Sequence, residues 1–424
     1  MISKPTIIIS AYCFAPREGS EAGVGWSAAH TLAEEYKVIA ICAESYRRKF
    51  SDEDMDGVRS KGIQVEFFND PLFAWILKTP LGGIKHRIYY YFWQKSIRPL
   101  VLRLIAEHAP VVLQHVNWGT GKVSSGLVGL GVPVVFGPVG GFECVQQKVV
   151  SGLDWKLQIA ECLRRVHVRL LRYSTTLRKM YRQIDLVLAC TEESASHIRN
   201  LGAEKIELMT NAGVSEEMAL RLGRIHRNHS DSGTLKLFFA SRLCSWKGEE
   251  FAIRALARVN DPNVTLTILG SGGNLARCRQ LTSELGIAGQ IEFIPFLPNW
   301  EDVWNLYAGS DVFLFPSLHD SGGTAVLEAM AAGLPVICLD LGGPAGLVDS
   351  TCGVKIAPGY TGQIVQDIAE AICHFRDYPE ERQQKGLAAI ERCQAHFTWE
   401  VRGKRLLQYV RSTWDKSSPE PQDR

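Results

Sequence analysis

Between Phe313 and Cys338 the chain reads FLFPSLHDSGGTAVLEAMAAGLPVIC, an order of residue types suited to a phosphorylated, hydroxyl-rich ligand. A short apolar run ends at Pro316, and a loop with Asp320, Gly322 and Gly323 follows. An apolar helix is expected from Thr324 to Ala332, stopped by Gly333 and Pro335. Strand, glycine turn and helix N-terminus together receive a phosphate: free backbone N–H groups point outward, the helix dipole favours an anion, and glycines permit close approach. Glu328 lies one turn inside that helix, eight residues beyond Asp320. Carboxylates so placed can reach one pocket and accept hydrogen bonds from sugar or ribose hydroxyls. A capped helix with a surface glutamate is the plainer account. Against it, Val326, Leu327, Ala329 and Met330 flank Glu328, and a carboxylate in apolar company is costly without a partner.

Arg242 and Lys247 follow the apolar run Leu237–Ala240. Two cations beside a strand end can neutralise a diphosphate leaving group as its charge develops. Standing alone, they would read better as solvated surface charges.

The N-terminal half offers weaker signals. Gly19–Trp26 reads GSEAGVGW, and Gly23-x-Gly25-x-x-Ala28 matches a dinucleotide fingerprint with Glu44 at about the right distance. The first strand ends about ten residues too early for that fingerprint's immediate turn. His115 follows the run Val111–Gln114, and a histidine at the carboxyl end of a parallel strand faces the ligand side, although a lone histidine is more often structural. Gly137–Glu143 is a further strand-to-loop segment suited to shaping an acceptor site. Glu143 there either binds an acceptor hydroxyl or is solvated.

Asp320-x7-Glu328, with the Ala-Met-Ala-x-Gly-x-Pro-Val that follows, resembles the E-x7-E signature of retaining glycosyltransferases of family 4, which have the GT-B fold. Phe239–Gly248 (FASRLCSWKG) looks like that family's G-R-L-x-x-x-K-G segment. Leu266–Gly273 looks like its strand ending in G-x-G, and Ile291–Ser317 like its run through A-D-V-F-V-F-P-S. The likeness covers most of the C-terminal half. Two departures stand out: the first glutamate is Asp320, and the usual Gly-Phe-Gly is Ser321-Gly322-Gly323.

The resemblance implies transfer of a sugar from a UDP- or GDP-sugar, with retained configuration, in polysaccharide or glycolipid assembly. It further implies that Arg242, Lys247 and Asp320 act at the reacting centre, and that Gly322, Gly323 and Thr324 hold the diphosphate. Glu328 is expected on the ribose hydroxyls. The base falls near Phe296, which either stacks on it or is a core phenylalanine. Gly23 and Gly25 would belong to a glycine loop over the donor diphosphate and the acceptor pocket, and His115 would touch the transferred sugar. The acceptor is a saccharide or lipid-linked saccharide. No cofactor and no nucleic-acid partner is implied. An epimerase or phosphorylase on the same scaffold, or a degenerate nucleotide-sugar-binding partner, are the alternatives.

The elements that must position these residues are legible as short apolar runs separated by helical lengths. Thr6–Ser10, Val38–Cys42, Val111–Gln114, Val132–Phe136 and Leu186–Cys190 form one series, with a helix expected over Trp26–Glu35 between the first two. Leu235–Ala240, Val264–Leu269, Ile291–Phe293, Val312–Phe315 and Val336–Leu339 form the other. Continuous apolar strands joined by helices mean parallel sheets covered on both faces. The fold expected is therefore α/β: two Rossmann-like domains with parallel sheets facing across a cleft. The boundaries expected are 1–220 for an acceptor-binding domain and 221–234 for a polar linker. Residues 235–395 form the nucleotide-sugar-binding domain, 396–415 a C-terminal helix and 416–424 a disordered tail.

At 424 residues the chain exceeds one core, and 46% apolar with 22% charged residues excludes disorder. Eleven cysteines without regular spacing read as reduced core residues of a cytoplasmic protein. No segment reads as a signal peptide or as a membrane span. Metal dependence is not expected. Asp52-Glu53-Asp54 and Asp54-Met55-Asp56 formally match D-x-D but sit in a polar stretch after Arg47-Arg48-Lys49 and read as a solvated turn.

Residues 1–215 hold 26 Lys+Arg against 20 Asp+Glu, a net of +6, which leaves −4 for the remainder of a chain of net charge +2. Within Trp155–Arg182, Ile159, Leu163, Val166, Leu170, Tyr173, Leu177 and Met180 repeat at helical spacing, opposite Arg165, Arg169, Arg172 and Lys179. Lys85–Arg103 interleaves five cations with Tyr89, Tyr90, Tyr91, Phe92 and Trp93. Either these stripes enter the core, or they meet an anionic membrane surface and hold the protein peripherally.

Overall fold

The computed structural model describes residues 4–16, 20–70, 72–80, 84–224 and 233–415. Two parallel sheets organise it. The first contains Thr6–Ala11 (β1), Lys37–Ala43 (β2), Ile63–Phe68 (β3), Val112–Asn117 (β4), Val134–Val139 (β5), Leu186–Ala189 (β6) and Ile206–Leu208 (β7), in the order β3-β2-β1-β4-β5-β6-β7. The second contains Leu235–Ala240 (β8), Val264–Leu269 (β9), Ile291–Ile294 (β10), Val312–Phe315 (β11), Val336–Leu339 (β12) and Gly353–Ile356 (β13), in the order β10-β9-β8-β11-β12-β13. The fold is the expected pair of Rossmann-like α/β domains.

Continuity of apolar residues explains the central strands. Ile8 pairs with Ile39 on one side and Leu113 on the other, and all three are fully buried. A strand covered on both faces favours apolar residues throughout, and the polar residues Ser10 of β1 and Gln114, His115 and Asn117 of β4 are buried as well. β3 (IQVEFF), β7 (IEL) and β13 (GVKI) lie at sheet edges. Their mixed composition hid them from a search for apolar runs. In each sheet the strand order reverses at one place, between β1 and β4 and between β8 and β11. The carboxyl ends flanking such a switch point are where open α/β sheets bind ligands.

The two compact units are not consecutive in the chain. One comprises 1–142, 170–211 and 400–424; the other comprises 143–169 and 212–399. In place of one boundary at 220 the chain crosses between the units four times, and packing explains the three segments involved. Val145, Val149, Val150, Leu153 and Leu157 share the core of Phe251, Ile364 and Ile368, which draws 143–169 into the second unit. Ala212, Val214, Ala219 and Leu222 join Met330 and Ala389 in that unit's other cluster, so Glu216–Arg224 is a packed helix and not the start of a linker. The rest of the expected linker, 225–232, and the tail, 416–424, lie outside the described residues. The last helix, Trp399–Asp415, belongs from Glu400 onward to the first unit. Arg411 donates to Glu35 at 2.7 Å, and a Cβ on Gly403 would come within 2.6 Å of Thr31.

Among the described residues no helix is long and apolar enough to cross a membrane. The Asp52–Asp56 stretch is a helix N-terminus, not a turn: Asp54 and Ser51 form a reciprocal capping box, with Asp54 Oδ2 accepting from Ser51 N at 2.9 Å. Of the Lys85–Arg103 aromatics, Tyr89, Tyr90 and Trp93 are core residues, so for these three the core alternative holds and the membrane-surface one does not.

Candidate functional site

In the second unit, the loops after β8 and β11 flank the switch point and are bonded to each other. Leu318 N donates to Trp246 O at 2.8 Å, and Ser317 Oγ to the same oxygen at 3.3 Å. Gly248 makes that contact possible. It sits at φ +82°, and a Cβ there would stand 2.0 Å from Pro316 O. Within this frame the ammonium of Lys247 forms an ion pair with Asp320 Oδ2, both side chains about four-fifths buried. The second Asp320 oxygen accepts from Gly322 N at 3.2 Å. Asp320 is therefore spent on the protein's own groups, as befits a side chain one methylene shorter than glutamate. Lys247 Nζ also stands 5.4 Å from the Phe315 ring centroid.

The loop ends at Gly323, φ +92°, the N-cap of the helix Thr324–Ala331, which no side chain caps. The N–H groups of its first turn are thus left without a side-chain acceptor, as the sequence anticipates for an anion site. Glu328, buried in this helix, accepts from the Tyr307 hydroxyl at 2.8 Å through Oε2. Burial raises its carboxyl to about 7, against the lowering effect of the Tyr307 bond. Arg242 is exposed on the loop after β8. Phe296 is 74% exposed in the segment after β10, which overturns the core alternative and leaves a free ring face.

Several neighbours escaped the sequence reading. Gly342 and Gly343, in the segment that follows β12, back the loop: Gly343 N donates to Asp320 O at 2.5 Å, and Cβ atoms on either glycine would stand 2.6 Å from backbone oxygens of residues 320–322. The signal available was a Gly-Gly-Pro three residues beyond the end of an apolar run. Glu143, expected to bind an acceptor hydroxyl or to be solvated, is instead buried, its Oε2 accepting from Ser321 Oγ at 3.0 Å; Glu161, which the sequence reading missed, has its Oε1 2.8 Å from His319 Nε2. Both glutamates come from the 143–169 excursion, so nothing local in sequence links them to residues 319–321.

The N-terminal candidates lie in the first unit and need correction. Gly23 and Gly25 are not in a loop; they sit inside the helix Ser20–Leu32. A Cβ on Gly25 would meet Cys13 O at 2.4 Å, so close packing of helix on strand accounts for that glycine. His115 does not face an open strand end. It is buried within β4, with Nε2 3.1 Å from the Tyr90 hydroxyl and Nδ1 3.1 Å from Ser125 Oγ. Burial lowers its pKa to about 4, so the ring is neutral. Beyond β4, Glu21 accepts from Gly119 N at 3.2 Å, and burial raises its carboxyl to about 7.

Residues 224–389 match the family model for glycosyl transferases group 1. Over 182 residues the chain is 32% identical to a D-inositol 3-phosphate glycosyltransferase of Corynebacterium diphtheriae, covering 41% of each chain. Over 181 residues it is 30% identical to a GDP-mannose-dependent monoacylated alpha-(1-6)-phosphatidylinositol monomannoside mannosyltransferase of Corynebacterium glutamicum, covering 41% of this chain and 46% of that one. The matches thus span less than half the length of these curated relatives. A sucrose-phosphate synthase from Thermosynechococcus elongatus superimposes with a TM-score of 0.67 over 98% of this chain and 100% of that one, at 16% identity, a likeness of fold. The chain has the GT-B fold, and within it residues 224–389 are similar to glycosyl transferases group 1.

Proposed function

We propose that the protein transfers a sugar from a nucleotide-diphosphate sugar, UDP- or GDP-linked, to an acceptor hydroxyl with retention of configuration and without a metal. The observation that carries it is the Lys247–Asp320 ion pair beside the uncapped N-terminus at Gly323–Thr324. A preset cation and a helix N-terminus that no side chain caps suit a diphosphate whose charge grows as the bond to the sugar breaks. The acceptor oxygen bonds to the sugar carbon on the face the diphosphate leaves, and the hydroxyl proton departs with the nucleotide diphosphate. Arg242 adds a second cation, Glu328 takes a ribose hydroxyl through its Oε1, and Phe296 stacks on the base. Asp320 orients Lys247 in this scheme and is not the main sugar ligand.

The acceptor is a saccharide or lipid-linked saccharide bound by the first unit, in polysaccharide or glycolipid assembly at the cytoplasmic face of a membrane. The Corynebacterium glutamicum relative, by its name, acts on a phosphatidylinositol mannoside, which supports a lipid-linked acceptor here. The test is mass spectrometry of a donor panel, following nucleotide diphosphate release with and without membrane lipid. Release dependent on an added acceptor is expected. Sugar epimerisation without acceptor, or UDP and GDP binding with no turnover of any donor, would defeat the assignment.

A further inference from the structure

The helix Trp155–Leu171 is apolar on two faces. Leu157 and Val168, with Glu161, are buried against the protein. The opposite face carries Trp155, Ile159, Leu163, Val166 and Leu170 at steps of four and three. Trp155, Leu163 and Leu170 are 64%, 64% and 61% exposed, and Ile159 and Val166 are half exposed. The core alternative weighed for this stripe is therefore overturned here, although Leu177 and Met180 beyond the helix are buried. Five large apolar side chains in one exposed row mark an interaction surface.

Charge selects the partner. Glu161 is the only acidic residue of this helix, and it is buried. The exposed margins therefore carry cations alone, Lys156 and Arg169, with Arg164 and Arg165 half-buried behind them. An apolar face ending in a tryptophan and bordered by cations fits the headgroup boundary of an anionic bilayer.

The buried face leads to the candidate site. Glu161 Oε1 meets His319 Nε2 at 2.8 Å, while Glu161 Oε2 is buried without a hydrogen-bond partner. The His319 ring lies nearly parallel to that of Trp246, centroids 5.9 Å apart. These two rings immediately precede Asp320 and Lys247 in the chain. We infer that the Trp155–Leu170 face docks on an anionic lipid surface, and that the Glu161–His319 pair transmits docking to the Lys247–Asp320 loop so that nucleotide diphosphate binds more tightly. The transmission rests on the donor site proposed above; the docking does not.

The full chain is tested by co-sedimentation with vesicles of anionic or of neutral phospholipid, and by calorimetry with UDP and GDP in the presence of each. Binding to anionic vesicles is expected, weakening with salt. Ile159→Gln, Leu163→Gln and Val166→Gln together should reduce it about tenfold or more while leaving nucleotide affinity in solution unchanged, since these side chains face away from the site. Anionic vesicles should tighten nucleotide binding by about fivefold, a typical coupling, and Glu161→Gln should abolish that gain without altering sedimentation. Equal binding to neutral vesicles, undiminished sedimentation of the triple variant, or a change in its oligomeric mass would overturn docking. A gain retained in Glu161→Gln would overturn transmission. Failure of both nucleotides to bind under any condition removes the donor site and the transmission with it, while sedimentation still decides docking.

Discussion

The Tyr307 hydroxyl donates to Glu328 Oε2 across 2.8 Å of buried space, so among the described residues one hydroxyl holds a carboxylate proposed for ligand binding. Burial raises its pKa from 4.5 to about 7. The native state binds the proton more tightly than the unfolded chain between those values, so stability falls as pH rises from about 4.5 to 7, by about 3 kcal/mol in all. Glu328→Gln keeps an acceptor for Tyr307 and removes the titration. It should be more stable than the wild type at pH 8, by up to about 3 kcal/mol, and no different at pH 4.5. Denaturant unfolding at the two pH values checks this.

The same substitution should damage donor use. Losing a charged acceptor for a ribose hydroxyl removes about 1.5–3 kcal/mol, roughly ten- to a hundredfold in donor kcat/KM. In the wild type, donor KM should improve as pH rises through about 7, where Glu328 ionises. Tyr307→Phe removes the bond that favours the charged form, so its profile should shift to higher pH. A KM independent of pH in both proteins would place the ribose elsewhere.

Lys247 and Asp320 should behave as one unit. Lys247→Ala is expected to lower kcat more than it raises donor KM, because charge on the leaving diphosphate grows toward the transition state. If Asp320 works by orienting Lys247, Asp320→Asn should cost little once Lys247 is alanine. The double-mutant cycle should then show a coupling of about 1–3 kcal/mol. Additive effects would mean that Asp320 touches the sugar independently.

How much of this was legible in the sequence depended on how local each signal is. β8, β9, β11 and β12 fall at the expected residues because buried parallel strands are uninterrupted apolar runs. The loop Asp320–Gly323 and its helix were legible for the same reason, as glycine and helix signals adjoin in sequence. Tyr307 was not, since its bond to Glu328 spans 21 residues. Glu161 and His319 are 158 residues apart, and no periodicity links them. Gly25 misled because a glycine forced by close packing of helix on strand looks the same in sequence as one that admits a ligand. His115 misled because strand-end position was inferred from an apolar run that stops at Gln114, whereas β4 continues to Asn117 with polar side chains buried.

Activity should survive EDTA. Lys247, Arg242 and the N–H groups at Thr324 supply the positive potential that a metal would otherwise bring, and Asp54, the centre of the D-x-D matches, is engaged in a helix cap. Transfer assayed with excess chelator should proceed at the untreated rate. Complete loss, restored by Mg²⁺ or Mn²⁺, would show that a divalent cation takes part.

His115 makes the opposite pH prediction to Glu328. Its folded pKa is lowered from 6.5 to about 4 by burial, so the unfolded chain binds its proton more readily. The neutral ring's full contribution is present above pH 6.5 and is lost as pH falls toward 4, by about 3 kcal/mol. His115→Gln retains a polar group beside Tyr90 and Ser125 without the charge, and its stability should fall less steeply below pH 6.5 than that of the wild type. At pH 8 the variant should be less stable, by about 1–3 kcal/mol, because an amide cannot match both ring-nitrogen hydrogen bonds. If His115 is only a buried support of β4, donor and acceptor KM at pH 8 should stay within about twofold of wild type, too small a change for a lost substrate hydrogen bond. A folded His115→Gln with acceptor kcat/KM down a hundredfold and unaltered stability would restore it to the reacting centre and require the first unit to open around it.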